Sequence, residues 1–212
     1  MIKAEVNVTG TIKKSAVVRT DKQGKPYIGF VLTVNLQNSQ GETKPVDIYV
    51  NVPNGQQSEL SQYTEGSRIA VSGMMDVHRK DDDIVLFLEA NLLSQDEVGE
   101  LDSIAGTMSF RGHLRNEKVY EERTTKKGNP FLLFSAYSSE KVGEEFVSTW
   151  VNFMRFPAKD AGIETIKPDW MIAKAHVEIK GTFELQVFKG RLSIGSMVKE
   201  MNLYVKPENV QQ

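Results

Sequence analysis

Two basic clusters surround the two Gly-x-Pro turns of this chain. Arg19, Lys22 and Lys25 lie at Gly24-Lys25-Pro26, and Arg123, Lys126 and Lys127 lie at Gly128-Asn129-Pro130. Two aromatic residues in alternating segments have polar company: Trp150 shares a side with Asn152 and Met154, opposite Val151 and Phe153, and Tyr49 shares a side with Asn51. Flat rings on a wet face beside lines of Lys and Arg suit one chemistry in particular. Single-stranded nucleic acid stacks its bases on such rings, at about 1–3 kcal/mol per base, while cations follow its phosphates. Each group also has a plainer use, as a core aromatic or a solvated turn. Phe30 and Phe134 belong to the core on this pattern, and Trp170, after Lys167-Pro168-Asp169, reads as a loop packing residue.

Catalysis has little to work with. His78, His113 and His176 are far apart in sequence and show no metal-ligand spacing. Asp81-Asp82-Asp83 could in principle hold a divalent cation for nuclease chemistry, but three adjacent residues cannot all face one ion, so the run reads as a hairpin tip. Phosphate-loop, nucleophile-elbow and dinucleotide patterns are missing, and neither a cofactor nor a small-molecule substrate is implied. The expectation is a protein that is not an enzyme.

The elements that must position these residues come from a repeat. Val6-Asn7-Val8-Thr9-Gly10-Thr11-Ile12 is echoed by Met108-Ser109-Phe110-Arg111-Gly112-His113-Leu114, and Gly24 to Phe30 by Gly128 to Phe134. Tyr49-Val50-Asn51-Val52 matches Trp150-Val151-Asn152-Phe153, and Ile69-Ala70-Val71-Ser72-Gly73 matches Val177-Glu178-Ile179-Lys180-Gly181. The offset drifts from 101 to 108 residues, as loops of unequal length would make it do. The repeated segments are short, β-rich and of period two, about five per half. Gln56 to Tyr63 and Ala158 to Ile166 are short helix candidates between the third and fourth strands. This predicts an all-β protein of two tandem five-stranded Greek-key barrels, the OB-fold, each with a short helix between strands 3 and 4. The domains expected are 1–95 and 104–207, with an acidic linker at 96–103 and a polar tail at 208–212.

Composition agrees with a globular chain. Its 212 residues are 40% hydrophobic and 25% charged, with 26 Lys+Arg against 28 Asp+Glu. A net charge of −2 excludes a polycationic wrapper, so any nucleic-acid site must be a local patch. Residues 1–98 carry net −3 and residues 99–212 net +1, which makes the second half the better electrostatic candidate. With no cysteine, disulfides and thiolate zinc sites are excluded. No apolar run reaches the roughly 18 residues of a membrane span and no signal peptide opens the chain, so a soluble, cytoplasmic protein is expected.

With these motifs in view, each half resembles the DNA-binding domain of bacterial single-stranded DNA-binding proteins. The features shared are the apolar-x-Gly-x-apolar end of the first strand, the Gly-x-Pro turn, the aromatic third strand and the Val-x-apolar-x-Gly opening of the fourth. The resemblance implies base stacking on Trp150, on Phe156 six residues later, and on Phe188 seven residues after Gly181. The first half departs from the pattern: Tyr49 stands for Trp150, but Gly55 and Lys80 occupy the other two places, where Arg79 and Lys80 could contact phosphate instead. The family's third tryptophan and its acidic C-terminal tail are not matched.

The resemblance implies sequence-tolerant binding and protection of single-stranded DNA in replication, recombination or repair. It also implies a homodimer bringing four barrels together, with no membrane partner. Two other readings remain open at this level. One is an OB-fold protein-interaction scaffold with weak or lost nucleic-acid binding, and the other is single-stranded RNA binding, which the same rings would serve.

Overall fold

A computed structural model describes residues 1–38, 41–81, 83–96 and 98–206. The expected tail at 208–212, Asp82 of the aspartate run and Glu97 of the linker lie outside the described residues. The first half contains β1 (Ile2–Thr20), β2 (Pro26–Gln37), β3 (Thr43–Pro53), β4 (Arg68–Lys80) and β5 (Asp83–Ser94). The second contains β6 (Ser103–Leu114), β7 (Tyr120–Thr124), β8 (Pro130–Val142), β9 (Glu145–Arg155), β10 (His176–Phe188) and β11 (Arg191–Leu203).

Alternation builds these strands. In β1, Ile2, Ala4, Val6 and Val8 are buried while Glu5 and Asn7 face solvent. The pairings close on themselves in each half: β1 with β2, β2 with β3, β3 parallel to β5, β5 with β4, and β4 back to β1. The second half repeats the circuit, with β9 parallel to β11. There the first strand is divided: β6 leaves off at Leu114 after meeting β8, and β7 resumes against β8 from Tyr120. In the first half the same bend is absorbed within β1 by register shifts between Ile12 and Val17.

The repeated fourth-strand glycine has a packing reason. A Cβ on Gly73 would lie 2.0 Å from the Glu89 carbonyl oxygen, and one on Gly181 2.3 Å from that of Met197. Both glycines sit where the ladder to the next strand shifts register.

The two helix candidates are corrected in kind. They form 3₁₀ turns at Gln57–Gln62 and Ile163–Ile166, closed by bonds such as Tyr63 N–H to the Leu60 carbonyl at 3.1 Å and Thr165 N–H to that of Gly162 at 3.2 Å. Segments this short cannot repay α-helix nucleation. The first turn leads into a core residue: Tyr63 is buried and stacks on Phe30 with ring centroids 5.4 Å apart. Phe134 is buried too, 5.1 Å from Phe153. Trp170 packs partly buried against the core.

The halves are joined by more than the connecting segment. Ile2 to Thr9 of β1 pair antiparallel with Phe110 to Ser103 of β6, making one sheet of 11 strands. Glu5 pairs with Thr107, its own counterpart in the repeat, so a pseudo-twofold axis passes through that pair. The connecting segment is pinned: Asp102 Oδ1 accepts from Arg68 Nη1 at 2.7 Å, and Asp102 Oδ2 accepts from the Asn35 backbone N–H at 2.8 Å and from Asn35 Nδ2 at 2.9 Å. Burial opposes the Asp102 charge, but these hydrogen bonds and the Arg68 guanidinium outweigh it and hold the carboxyl below its usual range.

Candidate nucleic-acid interface

In the second half, antiparallel register sets the face. Tyr137 opposes Trp150, Ser135 opposes Asn152 and Leu133 opposes Met154. Trp150 is 45% exposed, with the Tyr137 ring 5.0 Å away. At the other end of the same strands, Phe156 stacks on Phe131 at 5.1 Å, and both are half-buried. Arg123 on β7 opposes Phe131, which brings the second basic turn to this edge. Its guanidinium binds Glu121 Oε2 at 2.6 Å, while Lys126 and Lys127 are exposed in the turn itself. Phe188 lies at the tip of the β10–β11 hairpin, opposite Arg191 and 67% exposed, with Lys189 Nζ 5.4 Å from its ring centre.

The first half has a smaller counterpart. Tyr49 is 45% exposed and stacks at 5.4 Å on Phe87, its parallel neighbour on β5, itself 41% exposed. Arg19 opposes Tyr27, and a hollow of about 390 Å³ is lined by Arg19, Tyr27, Tyr49 and Phe87. An adjoining one of about 410 Å³ adds Lys22 and Lys25. Asp21 Oδ1 fixes that turn by accepting the backbone N–H groups of Gln23 at 2.8 Å and Lys25 at 2.9 Å. The place of Phe156 is taken by Gly55, which is buried, and a Cβ there would meet Ile28 Cγ1 at 2.6 Å. No aromatic ring could stand at that position without moving Ile28.

Arg79 and Lys80 part company. Consecutive strand residues face opposite ways. Lys80 is exposed at the hairpin tip, whereas Arg79 is half-buried and its Nε donates to the Asp81 carbonyl at 3.2 Å. The Arg79 backbone N–H donates to Glu140 Oε1 of the second half at 3.3 Å. Arg79 is therefore not gathered with the first-half rings.

Four rings that sequence reasoning passed over belong to these faces: Tyr27, Phe87, Phe131 and Tyr137. The signal for two of them was the alternation used for Trp150. Phe87 shares parity with Glu89, and Tyr137 with Ser135 and Ser139.

The histidines, separate in sequence, come together in space. His113 and His176 stack at 4.3 Å, Tyr137 lies 5.8 Å from His113, and Tyr204 lies 4.4 Å from His176. His78 Nδ1 contacts Glu140 Oε2 at 2.7 Å. All three imidazoles line one cleft of about 630 Å³ between the halves. Burial first, then the neighbouring His113 and Arg111, lowers the proton affinity of His176. Among the described residues no group of three or more His, Cys, Asp or Glu side chains is placed to hold a metal ion, and no helix is long and apolar enough to cross a membrane.

No family model matches the chain, and no curated protein does. Among solved structures it is similar to a deletion mutant of the single-stranded DNA-binding protein of Thermus aquaticus, at 14% identity over 97% of each chain, with a TM-score of 0.46. A mitochondrial single-stranded DNA-binding protein of S. cerevisiae matches at 20% identity over 46% of this chain and 91% of its own, with a TM-score of 0.36. A small single-stranded DNA-binding protein of Streptomyces coelicolor matches at 16% identity over 47% of this chain and 94% of its own, with a TM-score of 0.36.

Proposed function

We propose that the protein binds and protects single-stranded DNA without sequence preference, in replication, recombination or repair, using two OB-type barrels at 1–95 and 104–207. The observation that carries this reading is the ring pair of exposed Trp150 and half-buried Tyr137, on one outer face with Phe131–Phe156 and bordered by the basic turn of β7 and β8. Bases stack on these rings and on Phe188, while phosphates meet Arg123, Lys126 and Lys127. In the first half Tyr49 and Phe87 stack bases, and Arg19, Lys22, Lys25 and Lys80 bind the backbone. No chemistry is performed on the strand. The second half is the stronger site, since it offers more rings and the more positive charge.

The test is a fluorescence titration with oligo-dT of about 35 nucleotides, long enough to cover two such barrels, at two salt concentrations. Quenching of tryptophan that weakens with salt and withstands duplex competitor, with anisotropy of a labelled oligo-dT showing weaker binding to Trp150→Ala, supports the reading. Displacement by oligo-U at equal concentration turns it toward RNA, and no binding at low salt makes the barrels a protein-interaction scaffold. Two chains assembling four barrels is part of the same proposal. It requires a light-scattering mass twice that of the 23.8 kDa chain.

A further inference from the structure

The two halves treat one equivalent place differently. In the first half, the end of β2, the middle of β1 and the first residue of β4 form a cradle that is filled by the connecting segment. Arg68 Nη1 donates to Asp102 Oδ1 at 2.7 Å and to Thr11 Oγ1 at 3.2 Å, and Asn35 gives the same carboxylate two N–H bonds. Arg68 also donates from Nη2 to the Gly99 carbonyl at 2.9 Å. This is a built anion site whose occupant belongs to the chain.

The repeat register carries each cradle residue to a counterpart. The offset of 102 that maps Gly10 to Gly112 takes Thr11 to His113. The offset of 108 that maps Ile69 to Val177 takes Arg68 to His176, and the offset of 104 that maps Gly24 to Gly128 takes Asn35 to Ser139 and takes Thr33, which pairs with Thr11 on the neighbouring strand, to Tyr137. His113, His176, Ser139 and Tyr137 line the open cleft of about 630 Å³ between the halves, together with Arg111. Of the acidic groups on its wall, Asp76 lies 3.3 Å from Lys3 Nζ, and Glu140 Oε2 lies 2.7 Å from His78 Nδ1. Tyr137 joins the two regions, since it touches Trp150 on one side and His113 on the other.

We infer that this cleft is a phosphate-binding subsite, in which a DNA single strand leaving the Trp150 platform lays its backbone against His113, His176, Ser139 and Arg111. The inference rests on the single-strand reading above and adds to it a path. The strand turns from the outer face into the groove between the halves. The imidazole N–H groups, the Ser139 hydroxyl and the Arg111 guanidinium are donors of the kinds that phosphate oxygens accept from. The same place in the first half already holds an anion through Arg68 and Asn35.

The experiment measures binding of oligo-dT of about 8 and about 35 nucleotides to wild type, to the double variant His113→Ala/His176→Ala, and to Ser139→Glu. The last puts a negative charge at an exposed position and disturbs no core. The short oligonucleotide, spanning only the ring platform, binds all three proteins alike. The long one is weakened about tenfold in both variants. Equal affinity for the long oligonucleotide in all three, with the short one bound, overturns the inference and leaves the platform intact. Failure of wild type to bind either length overturns the underlying reading instead. A peptide with the sequence of residues 96–104 is the remaining arm. If it binds through His113 and His176 without displacing DNA, the cleft serves acidic peptide and the phosphate assignment is wrong.

Discussion

Trp150 and Tyr49 occupy equivalent strand positions and are equally exposed, yet their partners differ. Trp150 leans on Tyr137 from β8, whereas Tyr49 leans on Phe87 from β5. An indole offers the larger face, and the second half adds Phe156 and Phe188. Trp150→Ala is therefore expected to weaken single-strand binding by about 1–3 kcal/mol, and Tyr49→Ala by a smaller amount at the same salt. A larger loss for Tyr49→Ala in an anisotropy titration would reverse the assignment of the stronger half. Gly55→Ala addresses the first half's missing ring. Its methyl must displace Ile28, so about 1–3 kcal/mol of stability is lost to overpacking, read as a lower urea midpoint with unchanged slope. Residue by residue, alternation along one strand was enough to expose Trp150 and Tyr49 and to bury Phe30 and Phe134. It could not gather His113 with His176, because cross-strand neighbours depend on register between segments about 60 residues apart.

Elements were legible where periodicity is local. The five-strand pattern, the Gly-x-Pro turns and the fourth-strand glycine are all visible in the sequence. The 3₁₀ turns were anticipated in place but not in kind, because segments as short as Gln57–Gln62, with one apolar side chain, and Ile163–Ile166, with two, look the same in either helix type. The division of the second half's first strand was not visible, since Arg115 to Val119 differ little in composition from a bulged strand. The connecting segment shows how one carboxylate can anchor an element. Because the Asp102 pKa is depressed in the folded chain, its contribution is present above the ordinary carboxylate pKa and is lost as pH falls through the lowered value. Relative to the intrinsic rate of free amides at each pH, hydrogen exchange across residues 98–104 should thus be slow at neutral pH and rise in acid below the usual carboxylate range. Asp102→Asn should raise it at pH 7, at a cost of about 1–2 kcal/mol. A protection factor that is flat with pH would mean that the Arg68 pairing does not hold this segment.

At the scale of the molecule, the repeat foretold two similar halves but not their union. β1 and β6 read as ordinary strands with one polar side, and nothing in a single sequence marks their edges as complementary. The eight-residue ladder between them has the form of an isologous dimer interface contained in one chain. Proteolytic nicking between Glu100 and Leu101 is expected to leave the two halves co-eluting in size-exclusion chromatography, held by that ladder. Separate elution would show the connection to be the chief tether.

The Glu5–Thr107 axis also bears on mass action. Two such halves on separate polypeptides would part when diluted below their dissociation constant. Here the partner strand is covalently present, at an effective concentration that dilution does not change. The paired faces therefore persist at the lowest protein levels, and under the proposed function occupancy of a scarce single strand depends on its affinity for the pair and not on prior assembly of that pair.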